Sequence, residues 1–135
     1  MSSTSGAQVW DDSLALAMRM LTEGEDVALG EPVAMRHLAY IAWFDSRVEG
    51  SSLSQALWWH PAERMLKVAA GCDYFGLSEL AELIRELAAD HDNVERAMAL
   101  NDEYRDLRGR DPEDNRIVNA MEERLRTAPQ DFGRT

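Results

Sequence analysis

Residues 78–90 read SELAELIRELAAD, and this stretch decides the fold class. Leu80, Leu83, Ile84 and Leu87 recur at the three- and four-residue spacing that gathers side chains on one side of an α-helix. Glu79, Glu82, Glu86 and Asp90 recur at spacings of 3, 4 and 4 on the other side. A half-buried strand needs strict alternation of apolar and polar residues, and this stretch has none. It reads as an amphipathic helix with one apolar and one acidic stripe.

The same period continues outward in both directions. Helical segments are expected over about residues 12–23, 32–48, 53–59, 61–70, 78–89, 93–107 and 112–126. Leu14, Met18 and Leu21 should point inward in the first segment. Met35, Leu38, Ile41 and Phe44 do so in the second, and Ile117, Val118, Met121 and Leu125 in the seventh. Pro32, Pro61 and Pro112 stand where a first helical turn tolerates proline, and Gly24, Gly50, Gly71 and Gly109 where helices stop. Asp111 is the expected cap of the seventh segment, with Asp114 in a capping-box place. Val, Ile and Thr are sparse, so the expected fold is all-α: one compact domain of about six to seven helices over residues 11–127, between flexible ends at 1–10 and 128–135. Tyr40, Trp43, Phe44, Trp58 and Trp59 should form the centre of the core. Adjacent residues cannot face the same way on a helix, so one of Trp58 and Trp59 should be core and the other partly exposed.

A chain of 135 residues fits one domain with a real core. Cys72 is the single cysteine, so no intramolecular disulfide can form. The longest apolar run, Leu38 to Phe44, is too short for a bilayer, and Met1 to Gly6 lack the basic start and apolar stretch of a signal peptide. A soluble cytoplasmic protein is expected.

Charge adds a functional argument. The chain holds 25 Asp and Glu against 14 Lys and Arg, a net charge of −11. Direct nucleic-acid binding needs a basic face, and anionic membranes repel such a chain. The imbalance is localised: residues 73–103 hold nine acids against two arginines, and residues 1–31 six acids against one arginine. Asp92, Glu95, Asp102 and Glu103 carry the acidic stripe of 78–90 into the sixth segment, and Glu23, Glu25, Asp26 and Glu31 extend it if the fold brings them alongside. Helix carboxylates at these spacings recur about every 4.5 to 6 Å, against about 3.4 Å between phosphates on a duplex strand. The pairs Glu82/Glu86 and Glu86/Asp90 repel, each by a few tenths of a kcal/mol. A merely solvated face usually mixes its signs, and this one-sided face suits a basic partner.

Catalytic chemistry is not legible. No phosphate-cradling glycine loop, nucleophile elbow or metal-binding histidine pair occurs. His37, His60 and His91 are far apart; His60 before Pro61 reads as a turn residue and Asp90-His91-Asp92 as a helix-boundary cluster. Cys72 reads as a small buried hydrophobe. No catalytic residue, metal or cofactor is expected.

The stretch from Tyr40 to Leu87, YIAWFDSRVEGSSLSQALWWH followed by PAERMLKVAAGCDYFGLSELAELIREL, resembles a small bacterial DNA-mimic family with an Asn-Gly-Gly-Phe-x-Gln-type motif. Here Ser51 and Ser52 take the places of the two glycines, Leu53 that of the Phe and Gln55 that of the Gln, with Gly71-Cys72 where Gly-Ala is usual. Gln55 should hydrogen-bond the loop at Gly50–Ser52. The resemblance implies a non-enzymatic, all-α inhibitor whose acidic surface occupies the nucleic-acid site of a basic partner: a transcription regulator, a nuclease or a phage-defence effector. Three other readings stand beside it. One is an immunity or antitoxin-type protein neutralising a basic toxin. Another is a small ligand binder with a pocket beneath Trp58, Trp59 and His60. The last is a helical adaptor. The stripe of the seventh segment suits either a homodimer or closure of a monomer's core.

Overall fold

The computed structural model describes residues 5–110 and 112–134. They form seven α-helices: α1 (Gly6–Glu23), α2 (Val33–Gly50), α3 (Leu53–Trp59), α4 (Ala62–Tyr74), α5 (Ser78–Ala89), α6 (Val94–Arg108) and α7 (Arg116–Thr127). Short 3-10 helices occupy Glu25–Gly30, Pro112–Asp114 and Pro129–Phe132, and no strand occurs among the described residues. Met1 to Thr4, Thr135 and the expected cap Asp111 lie outside the described residues. The fold is all-α, as the periodicity requires.

α2 is the central element. It buries Ala34, Met35, Leu38, Ile41, Phe44 and Val48 toward the main core, and Ala39 and Trp43 toward α1. A helix apolar on nearly every side must be enclosed, and α1, α3 and α4 pack around it. α4 crosses α2 closely at Gly71. A Cβ there would stand 2.9 Å from the His37 carbonyl oxygen and 3.2 Å from Ile41. Gly71 is therefore no helix stop: α4 runs through it to Tyr74, and the missing side chain is what lets the two backbones approach. α5 packs on α4, and α6 on α3 and α5.

Several expected details are corrected. α1 begins at Gly6, where the Ser5 hydroxyl accepts from the Gln8 amide at 3.1 Å. Its inward face is Val9, Ser13, Leu16, Ala17 and Met20, while Met18 and Leu21 are 59% and 45% exposed. Ser13 is tolerated inside because its hydroxyl donates to the Trp10 carbonyl at 2.6 Å. At the other end Phe132 is buried in the main core, the Tyr74 hydroxyl donates to Asp131 at 2.6 Å, and Arg134 meets Asp12 at 2.9 Å. Helical structure thus runs from Gly6 at one end to Phe132 at the other. α7 starts at Arg116, capped by the Asn115 side chain, which accepts from Ile117 at 2.9 Å and Val118 at 3.1 Å. Ile117 and Met121 are buried and Val118 and Leu125 pack against them, so the α7 stripe closes the core.

The two adjacent tryptophans are the largest correction. Trp58 is 81% exposed and Trp59 52%. α3 has seven residues and turns Leu53, Ala56 and Leu57 inward, which leaves the next two positions outside. The aromatic core consists of Trp43, Phe44, Phe75, Tyr104 and Phe132.

Candidate functional site

α5 and α6 form a hairpin joined through Asp90–Asn93. α5 buries Leu80, Leu83, Ile84 and Leu87 and turns Glu79, Glu82 and Glu86 to solvent. Asp90 caps its end, exposed. The turn is shaped by Asn93, whose amide donates to Asp90 at 2.9 Å while its side-chain oxygen accepts from the Arg96 amide at 3.0 Å. Asp92 stands fully in solvent. Along α6, Glu95, Asp102 and Glu103 are exposed. All eight acids expected on the fifth and sixth segments are thus surface residues of one hairpin. Asp106, exposed and four residues beyond Asp102, continues the row; its i+4 spacing was legible, but it lies beyond the acid-rich segment 73–103.

Arginines trim this face without covering it. Arg96 of α6 reaches Glu86, Arg110 reaches Asp102 at 3.4 Å and Asp106 at 2.6 Å, and Arg85 turns away to Asp73 of α4. All are exposed pairs of the kind worth about 0–1 kcal/mol, so the carboxylates stay available.

The N-terminal acids belong to α1, the first 3-10 helix and the turn that follows it. Glu23 pairs with Arg19 at 3.4 Å within α1, Asp26 is exposed and Glu31 half-buried. Glu25 is engaged internally: it accepts from the Tyr40 hydroxyl at 2.8 Å, Lys67 at 3.1 Å and Arg64 at 3.2 Å. Burial opposes its ionisation, yet these three donors hold it below the ordinary carboxylate range. Glu25 ties the first 3-10 helix to α2 and α4, not to the acidic hairpin.

A second internal cluster escaped the sequence reading. Asp45, buried in α2, accepts from the Tyr104 hydroxyl at 2.8 Å and from Arg108 Nε at 3.0 Å. Arg108 also meets Glu49 at 2.7 Å. Burial pushes the Asp45 carboxyl above its ordinary range despite Arg108 and Tyr104. Burial likewise disfavours the charge on Arg108, but Asp45 and Glu49 outweigh it and raise that pKa. The signal was spacing: Asp45 stands four residues after Ile41 and seven after Leu38, on the apolar face of α2.

His60 stands in the bend between α3 and α4, as its place before Pro61 implies, but its ring points into the core. It is fully buried, against Trp43 at 5.1 Å and Phe44 at 5.4 Å between ring centres. Burial, then Arg64 and Arg47, push it down to about 4, so it is a neutral core ring at neutral pH. The cleft beside Trp58 is lined by Leu57, His91 and Val94, and neither Trp59 nor His60 contributes. The three residues do not converge on one pocket. His91 donates from Nε2 to the His60 carbonyl at 2.7 Å, which ties the hairpin turn to α3. Gln55 is exposed and does not hold its loop through its side chain; the Ser52 hydroxyl and Asn101 cap α3 instead, accepting from the amides of Gln55 at 3.3 Å and Leu53 at 2.9 Å. Cys72 is buried, and burial, with Asp73 and Asp45, pushes its thiol up to about 12, so it carries no thiolate chemistry. Among the described residues no group of three or more His, Cys, Asp or Glu is disposed to hold a metal, and no helix is long and apolar enough to cross a membrane.

No curated protein and no solved structure matches the chain. Residues 31–132, which include the whole Tyr40–Leu87 stretch and both helices of the acidic hairpin, match the family model described as DMP19-like protein, and the chain belongs to that family.

Proposed function

We propose that the protein is a non-enzymatic DNA mimic, a cytoplasmic inhibitor that occupies the nucleic-acid-binding surface of a basic regulator, nuclease or phage-defence effector. One observation carries this reading: Glu79, Glu82, Glu86, Asp90, Asp92, Glu95, Asp102 and Glu103 all stand exposed on a single helical hairpin. Membership of the DMP19-like family, a family of DNA mimics, supports it independently.

The physics suits a basic partner. Packed helices set their axes about 8–10 Å apart, so the α5 and α6 carboxylates form two neighbouring rows. A net charge of −11 steers cationic surfaces toward the molecule over several ångströms in low salt. The surface arginines on Glu86 and Asp102 yield to a partner's cations at little cost. Glu23, Asp26 and Glu31 are secondary contacts in this reading, while Glu25 serves the fold.

The test is capture from a nuclease-treated extract of the source cells, with the wild-type chain and the Glu79→Gln/Glu82→Gln/Glu86→Gln variant as baits. A partner released by salt and by added duplex DNA, and lost with the variant, is the expected result. A partner held equally by the variant, or indifferent to duplex DNA, overturns the reading.

A further inference from the structure

One cavity has the opposite character to the acidic face. It lies between the 3-10 helix Glu25–Gly30 and helices α2 and α4 and has a volume of about 260 Å³. Arg36 and Tyr40 of α2, Lys67 and Ala70 of α4, and Glu25 and Leu29 of the 3-10 helix line it. Glu25 is the sole acid of this lining, and its charge is shared between Arg64 and Lys67. Arg36 takes part in none of the ion pairs of the described residues, and its Nε is buried without a hydrogen-bond partner. The lining holds two cations, Arg36 and Lys67, against the single carboxylate of Glu25, which Arg64 also pairs, in a molecule of net charge −11. A buried guanidinium nitrogen without a partner, beside a largely apolar cavity, is a donor that an anion would satisfy. Leu29, 69% exposed at the mouth, is an apolar side chain that an occupant would cover.

We propose that this cavity binds a small organic carboxylate with an aromatic or short aliphatic body, its carboxylate on Arg36 and Lys67 and its body against Leu29 and Ala70. Size sets the class. A cavity of about 150 Å³ holds benzene, and drug-sized ligands fill about 300–1,000 Å³. The 260 Å³ here therefore admits a ring bearing a carboxylate and excludes a nucleotide. Guanidinium and ammonium provide the charge-assisted donors, and Glu25 fixes Lys67 in place at 3.1 Å. This site is independent of the acidic hairpin, so it stands or falls separately from the DNA-mimic reading.

The experiment is a two-dimensional amide NMR titration of the full chain with benzoate, hexanoate and the neutral isostere benzamide. Shifts localised to Leu29, Arg36 and Ala70, with a benzoate Kd at or below about 1 mM, are expected. Benzamide should bind at least about tenfold more weakly, and Arg36→Gln should weaken benzoate by a similar factor. Ala70→Leu fills the cavity from an exposed helix position, leaves Arg36 intact, and should abolish binding. Equal binding of benzoate and benzamide overturns the proposal. So does benzoate binding unchanged in either variant, or an absence of localised shifts.

Discussion

Replacing Arg108 by Met isolates the buried carboxylate of Asp45. In the native fold Arg108 gives Asp45 three short contacts, Nε at 3.0 and 3.2 Å and Nη2 at 3.1 Å, and Tyr104 gives a fourth at 2.8 Å. Removing one partner of a buried pair costs about 3–5 kcal/mol, because the other charge remains without water. An unfolding entropy near 0.3 kcal/mol/K for a chain of this length turns that into a fall of roughly 10–18 °C in Tm. Asp45→Asn should cost less, about 1–3 kcal/mol, because the amide still accepts from Tyr104 and Arg108 keeps Glu49 at 2.7 Å. The double variant Asp45→Leu/Arg108→Met removes both charges and should recover much of the Arg108→Met loss. Urea and thermal unfolding followed by circular dichroism measures all three. The pH dependence has a definite sign. Burial raises the folded pKa of Asp45, so its protonated form is the better tolerated one, and without Arg108 that preference grows. The Arg108→Met deficit should therefore shrink as pH falls from neutrality into the carboxylate range. A double variant as unstable as Arg108→Met alone, or a deficit independent of pH, refutes the unpaired-charge account.

The remaining perturbations are simpler. His60 has its folded pKa depressed to about 4, so the stability it contributes is present above its unfolded pKa of about 6.5 and is lost as pH falls toward 4, by roughly 3 kcal/mol at full extent. His60→Phe, which keeps a ring and removes the titration, should flatten the stability curve across that window; an unchanged slope counts against it. Gly71→Ala puts a Cβ 2.9 Å from a backbone oxygen of α2 and should destabilise by about 1–3 kcal/mol in urea melts, whereas a neutral or stabilising effect would show that α2 and α4 are not held that closely. Trp43→Ala should cost about 3–5 kcal/mol, Trp58→Ala within about 0.5 kcal/mol of nothing, and a reversed order would overturn the assignment of core and surface tryptophans.

Where the sequence was legible, the reason was redundancy. On α5 the apolar stripe, the acidic stripe and the helical period all say the same thing, and Leu80, Leu83, Ile84 and Leu87 are buried as the spacing requires. α1 holds two overlapping stripes. Leu14, Met18 and Leu21 compete with Val9, Leu16 and Met20, and the choice was made by packing of Ala17 and Met20 against Ala39 and Trp43 of α2. Gly71 looked like a stop because glycine ends helices, but a glycine at a helix crossing carries the same letter. The tryptophans failed for a different reason: side-chain size sets how much burial is worth, while the phase of the short α3 sets which residues obtain it. The acidic face was legible because exposed charges obey local periodicity alone. The fate of Glu25 was not, since Arg64 and Lys67 reach it across 39 and 42 residues.

The two helices of the acidic hairpin are held down by different physics, and that difference is itself testable. α5 buries four large aliphatic side chains, worth about 1.5–3 kcal/mol each as an upper estimate, against a few tenths for each like-charge pair on its outer face. Its anchorage is apolar and independent of salt. α6 fully buries only Ala97 and Tyr104, and leaves Val94 and Met98 in solvent. Leu100 and Leu107 pack only half-buried against the core, and much of its anchorage is directed polar contact: Tyr104 and Arg108 to Asp45, Arg105 to the Val48 carbonyl at 3.4 Å, and Asn101 to the Leu53 amide at 2.9 Å. Directed contacts release together once one end opens, so α6 should form a unit of lower local stability than α5. In native-state hydrogen exchange, the α6 amides should exchange through an opening below the global unfolding free energy, while those of Leu83, Ile84 and Leu87 exchange only with it. Arg108→Met should lower α6 protection further than α5 protection. Equal protection along both helices, in the wild type and in the variant, would mean that the hairpin moves as one body and that the polar clamp adds nothing beyond what the apolar core already holds.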